Sequence, residues 1–266
     1  MWPKHVVIRV KFAIVGPESV RRWGTVSTAL GGEMLRSFAT HVARACELSV
    51  YVLIGLFLAS LARAEAPRVL TIGDSLMASH AVSGRSVAGY LEQALGQEVT
   101  DRSVLGAHMV YRLPISGAMG MSIPAQYRGD WDWVVMTGGG NDLWLGCGCA
   151  KCERRMNKLI SKNGTRGEIP KLMAKILENG GQAVFVGYLR SPGLGSPIEH
   201  CKDEGDELER RVAALAARVP GIHYVSIQDM VRPGDRSFFA FDMIHPSTKA
   251  SRHIAARVAA LIAAGG

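Results

Sequence analysis

The sequence predicts an α/β fold: a doubly wound, three-layer α/β/α sandwich around a mainly five-stranded parallel sheet. From residue 68 onward, short apolar and β-branched runs alternate with amphipathic segments, the pattern of a parallel sheet covered by helices on both faces. No internal repeat or low-complexity linker interrupts the alternation, so one domain is expected over residues 66–266. The strand candidates are 68–72, 98–104, 133–137, 183–188 and 222–226. Helix candidates lie at 82–95, 168–179, 204–218 and 248–263, the last with Ile254, Val258, Leu261 and Ile262 on one face at a helical period. Segments 109–130 and 144–166 match no regular period and read as binding loops, which such folds place after strands.

Composition narrows the class. Hydrophobic residues make up 48% and charged residues 20% of 266, which excludes a disordered or coiled-coil chain. The formal charge of +8 suggests a nucleic-acid partner until it is divided by segment. Residues 1–64 hold 8 of the 31 Lys/Arg and 3 of the 23 Asp/Glu, so the remainder carries only about +3. No run of Lys/Arg interleaved with aromatics appears there, and no nucleic-acid partner is expected.

Residues 34–64 have the order of a secretory leader: Arg36 and Arg44, an apolar core at 48–59, then the small-x-small site Ala62-Arg63-Ala64. The core is short of the ~20 residues that span a bilayer as a helix, so cleavage is expected rather than a permanent membrane span. An uncleaved anchor or a buried helix is the competing reading. Residues 1–33 precede Met34 as an extension with no folded role, and the domain is expected in the periplasm or outside the cell.

The cysteines agree with export. Once Cys46 leaves with the leader, Cys147, Cys149, Cys152 and Cys201 remain, an even number that suggests two disulfides. A Cys147–Cys149 ring across one residue is hard to close, so Cys201 is expected to bond Cys147 or Cys149. The competing reading is a four-thiolate zinc site.

Three segments carry candidate chemistry. Gly73-Asp74-Ser75-Leu76 puts a serine at the carboxyl end of the first strand, the edge where open α/β sheets bind ligands. Thr137-Gly138-Gly139-Gly140-Asn141-Asp142 follows the third strand, with glycines that admit a close ligand and an amide that can donate to an oxyanion. Asp242 and His245 stand three residues apart before the last helix, where one turn can present a base and the carboxylate that orients it. The first and last of these blocks alone are explained as well by helix capping, and the glycine run alone could cradle a phosphate, although it has neither G-x-G-x-x-G spacing opening a helix nor a G-K-S/T ending. Gly106, after the second strand, offers a further backbone N–H. His80 and His108 are expected to be solvated or backbone-bonded loop residues rather than the base.

In this order the blocks resemble the SGNH or GDSL hydrolase family of serine esterases and lipases. The resemblance implies a flavodoxin-like SGNH hydrolase fold, Ser75 as nucleophile, and Asp242 and His245 as triad acid and base. It also implies an oxyanion hole from Ser75, Gly106 and Asn141, with no metal or organic cofactor. Short acyl esters or O-acetylated envelope glycans are the expected substrates, since no long apolar lid segment is visible. An acyltransferase that delivers the acyl group to an envelope sugar, and a non-catalytic carbohydrate-binding module, are the alternatives. Two departures stand out. Met77 follows the first block, where many members have a small polar residue, and is expected to narrow the pocket mouth. The 147–152 cysteine insertion is expected to shape a substrate loop.

Overall fold

The computed structural model describes residues 67–193 and 195–266. The leader expected at 34–64, the extension 1–33 and Cys46 lie outside the described residues. The described chain forms five parallel strands: β1 (Val69–Ile72), β2 (Val99–Asp101), β3 (Trp133–Met136), β4 (Gln182–Val186) and β5 (Ile222–Val225). Their order is β2-β1-β3-β4-β5, the doubly wound arrangement expected from the sequence. All residues of β1 and β3 are buried, as a sheet covered on both faces requires.

Alternation along the strands divides the core into two layers. Val69, Val135, Val184 and Val225 face one side and pack with α2 (Val87–Leu95) and the final helix α7 (Thr248–Ala263). Leu70, Val134, Met136 and Phe185 face the other, against α4 (Glu153–Leu159), α5 (Glu168–Glu178) and α6 (Lys202–Ala216). The chain turns from β1 outward to β2, then returns through β3 to β4 and β5. The β1/β3 boundary is therefore the topological switch point, where the loops after adjacent strands part and leave a crevice.

Several local expectations are corrected. The helix expected from residue 82 starts at Val87, because Gly84 turns with φ +66° and Ser86 caps the helix by accepting from the Gly89 N–H at 3.2 Å. Val82 is fully exposed. The second strand stops at Asp101, whose Oδ1 accepts from the N–H and Oγ–H of Ser103 at 2.9 and 2.6 Å and turns the chain away. The two segments read as irregular contain short helices: Pro114–Ser116, Ile123–Gln126, the end of α3 (Gly140–Cys147) and α4. These are too short to give a readable period, and the end of α3 also carries glycine and cysteine.

All four cysteines of the domain are paired: Cys147 with Cys152, and Cys149 with Cys201, at Cα separations of 5.5 and 4.9 Å. The second bond ties the loop after α3 to the start of α6. His200 lies within 4.8 Å of the Cys149 and Cys201 sulfurs, yet both sulfurs are committed to the S–S bond and offer no thiolate for zinc. No helix among the described residues is long and apolar enough to cross a membrane.

Non-reducing peptide mapping is expected to return these two linkages, and a Cys147–Cys201 peptide would contradict the fold of this loop. Replacing Cys149 and Cys201 together by serine should lower stability by about 2 to 4 kcal/mol in urea unfolding.

Candidate active site

The site is built where β1 and β3 end. Gly73 follows β1 with φ +148°, and a Cβ there would lie 2.9 Å from Thr137 Cγ2 and 3.0 Å from the Thr137 carbonyl, so only glycine lets β1 and β3 run this close. Gln126 holds the turn from beneath. Its Oε1 accepts from the Gly73 N–H at 2.7 Å, and its Nε2 donates to the carbonyls of Gly73 and Gly120 at 3.0 and 2.7 Å. Asp74, 2% exposed, caps the one-turn helix α1 (Ser75–Ala78) by accepting from the Leu76 N–H at 3.0 Å. Ser75 is thus the first residue of α1, and its N–H has no acceptor among the described residues.

Asp74 reaches across to the other loops through Tyr188, two residues past β4. The Tyr188 hydroxyl donates to Asp74 Oδ2 at 2.6 Å and accepts from the Gly140 N–H at 2.9 Å. A Cβ at Gly140 would lie 2.9 Å from the Tyr188 ring, so the third glycine of the run is the one that lets the phenol in. Burial pushes both acidic groups up: Asp74 lies above the ordinary carboxylate value, although the bonds from Tyr188 and Leu76 oppose the shift, and Tyr188 lies well above the ordinary phenol value.

Asn141 follows Gly140 in α3. Its Nδ2 donates one hydrogen to the Ala107 carbonyl at 3.0 Å and has a second hydrogen to give. Gly106, beside that carbonyl, has φ +77° and an N–H without an acceptor among the described residues. Asp142, fully buried, does different work. It accepts from the N–H groups of Met109 and Val110 at 2.8 and 3.0 Å and so holds the loop that carries Gly106 against α3.

The loop before α7 supplies a His–Asp pair. His245 Nδ1 lies 2.6 Å from Asp242 Oδ2, and Asp242 Oδ1 accepts from the N–H groups of Ile244 and His245 at 3.0 Å each. Burial raises the Asp242 carboxyl, but the His245 bond and the two backbone bonds outweigh it and hold the group below its ordinary value. Ser75, Asn141, Ile244 and Pro246 line one cavity of about 430 Å³, with Trp144, Leu189 and the Cys149 and Cys201 side chains also in its wall.

The remaining sequence candidates fall outside the pair. His80 Nε2 lies 2.9 Å from the Pro246 carbonyl, which can only accept, so Nε2 carries the proton and His80 tethers the His245 loop. His108 bridges by its backbone to Met121 and Ile123. Met77 is fully buried in the core and does not narrow the mouth: two residues on from Ser75, a helix at 3.6 residues per turn has rotated about 200° away. Gln126 and Tyr188 went unnoticed in the sequence, since a lone Gln or Tyr carries no pattern.

A serine at a strand's carboxyl edge, and a bonded His–Asp pair whose neighbours Ile244 and Pro246 line the serine's cavity, are elements that enzymes transferring acyl groups through a serine use. The sequence matches the GDSL-like lipase/acylhydrolase family over residues 71–253, and the chain belongs to that family. None of the curated proteins matches it in sequence. Among solved structures it is similar to a Slackia heliotrinireducens protein assigned to the SGNH hydrolases, with 21% identity, a TM-score of 0.52, and 74% of this chain and 100% of that one covered. It is also similar to a family two carbohydrate esterase from Clostridium thermocellum in complex with cellohexaose, at 16% identity and a TM-score of 0.50 over 75% of this chain and 64% of that one. A Desulfitobacterium hafniense protein attributed to the lipolytic G-D-S-L family aligns at 13% identity and a TM-score of 0.50, over 73% and 99%. At these identities the likeness is one of fold.

Tyr188→Phe keeps the ring but strands a buried carboxylate oxygen and the Gly140 N–H. A stability loss of about 1 to 3 kcal/mol is expected, with Asp74 moving further up because the bond that lowers it is gone. Denaturant titrations of both proteins across the acid range measure the two effects together.

Proposed function

We propose that residues 66–266 are an exported ester hydrolase that works through an acyl-enzyme on Ser75. The observation that carries the reading is the 2.6 Å contact between His245 and Asp242, with Ile244 and Pro246 on either side of His245 lining the cavity that Ser75 lines. Ser75 Oγ attacks the ester carbonyl as His245 Nε2 takes its proton. Asp242 keeps the other ring proton on Nδ1 and stabilises the imidazolium. The tetrahedral oxyanion is met by the N–H groups of Ser75 and Gly106 and by the second Nδ2 hydrogen of Asn141, of which each donor is typically worth about 2.7 to 4 kcal/mol of barrier. His245 returns the proton to the departing alcohol. Water, deprotonated by the same ring, then releases the acid and restores Ser75.

The chemistry needs no metal or organic cofactor. Short acyl esters and O-acetylated envelope glycans are the substrates we favour, and the fold-level likeness to a carbohydrate esterase is in keeping with the second. Two disulfides support an oxidising compartment, and with it residues 34–64 as a leader removed near Ala64 and residues 1–33 as an extension without a folded role. N-terminal sequencing of exported protein is expected to begin just after Ala64, and a mature chain starting at Met34 would refute the cleavage.

On one acetyl ester, Ser75→Ala and His245→Ala should each lower kcat by more than about 10³-fold, without additivity in the double variant. Asn141→Ala should cost about 10²- to 10³-fold. His80→Ala and His108→Ala should stay under about tenfold, or ~1.4 kcal/mol. A Ser75→Ala enzyme with near wild-type turnover would end this mechanism, and an inactive His80→Ala would move the base.

A further inference from the structure

Beside the serine cavity the fold assembles a second cavity of about 710 Å³ with a cationic wall. Arg112 comes from the segment between β2 and β3, Lys151 from the disulfide-bonded loop, and Arg154, Arg155 and Lys158 from α4; among the described residues no aspartate or glutamate lines it. The charges are scattered in sequence, so the near-neutral domain does not announce them. The carboxylates of Asp142 and Glu153, on α3 and α4, are already engaged. Asp142 is fully buried, bonded to two backbone N–H groups and 4.0 Å from Arg155, while Glu153 pairs with Lys162 at 3.0 Å.

Holding these cations works against the fold. Arg154 and Lys158 are like charges four residues apart on one helix, a spacing that destabilises it. Lys151 sits at φ +50°, uncommon for a residue with a side chain, in the loop that the two disulfides close. An anionic ligand would relieve the repulsion. The position relative to the catalytic edge is fixed by adjacent residues: His108 lines this cavity, and its neighbour Ala107 holds the Asn141 side chain.

We infer that this cavity binds the anionic part of the substrate, and that the ester cleaved at Ser75 is carried on an acidic carbohydrate chain. The inference rests on the hydrolase reading above. Five cations spread over so wide a cavity exceed what one anionic group can use. Arg154 and Lys158, about one helical turn or ~5.4 Å apart, suit negative charge repeated along a polymer. Tyr111 lines the same wall, and an aromatic residue is one against which a sugar can pack. The charges line a concavity, which a flexible chain can enter and a planar bilayer cannot.

The test compares the purified wild-type protein with a Lys151→Glu/Arg154→Glu/Lys158→Glu variant, which spares Arg155 and its contact with Asp142. Rates are measured on acetylated polygalacturonate, acetylated glucomannan, which is neutral, and p-nitrophenyl acetate. The wild type should favour the acidic polymer. In the variant the ratio of kcat/KM on that polymer to kcat/KM on p-nitrophenyl acetate should fall about 30-fold, mostly through KM, as expected for three charge contacts at the surface. The wild-type preference should shrink as salt rises from roughly 0.05 to 0.5 M. Equal wild-type rates on both polymers, or an equal loss on p-nitrophenyl acetate, would overturn the subsite.

Calorimetric binding separates this from failure of the hydrolase reading. Even if no ester is cleaved, polygalacturonate or a phosphate-bearing mannan should bind the wild type and not the variant. Binding of neither polymer, or equal binding of a DNA oligomer or of anionic phospholipid vesicles, would refute the proposal.

Discussion

The hydroxyl of Tyr188 sits between a carboxylate it donates to and an amide it accepts from, and the three groups come from loops after three different strands. Asp74 follows β1, Gly140 follows β3 and Tyr188 follows β4. Ser75 is the next residue after Asp74, and Asn141 the next after Gly140. One phenol therefore sets the distance between the serine and the side-chain amide across the switch point. Few side chains besides tyrosine join a rigid span of that length to a tip that donates and accepts at once.

The same logic recurs at the other buried polar groups of this edge. Gln126 closes on both backbone groups of Gly73, and Asp142 closes on two N–H groups of the neighbouring loop. Neither lines the serine cavity. Each removes the freedom of a segment that carries a proposed oxyanion donor, and each is satisfied, which is the condition for a buried polar network to rigidify rather than weaken. Burial raises Asp74 and Asp142 while hydrogen bonds pull them back, whereas Asp242, less buried and bonded to His245, ends below its ordinary value. The carboxyls that hold the backbone and the one bonded to His245 are thus shifted in opposite directions from their ordinary values.

What the sequence made legible follows from these roles. Strand positions and the serine, asparagine and histidine blocks could be read because they are local: apolar runs, a glycine turn, or an Asp-x-x-His spacing that one turn presents. Tyr188 and Gln126 could not, since their partners lie 114, 48 and 53 residues away and a single side chain leaves no period. Met77 misled because a family position suggested a surface role, while a one-turn helix sends that residue into the core. The cations of the second cavity were invisible to a charge count, which sums over surface that the fold separates. For α3 the signal is masked by Gly146 and Cys147, poor helix formers, and α4 with seven residues is too short to show a period.

The disulfides connect the two cavities and explain how so unfavourable a loop persists. Gly148, Cys149 and Lys151 all have positive φ, a conformation that two of the three resist. The Cys149–Cys201 bond spans 52 residues and constrains the unfolded chain strongly, whereas Cys147–Cys152 spans 5 and gains little by that route. The short bond is better understood as a local clamp on the turn that carries Lys151, and the long one as the source of stability against which that strain is set. Cys149 and Cys201 line the serine cavity, and Cys147 and Lys151 line the cationic one. A single covalently closed loop is therefore a wall of both.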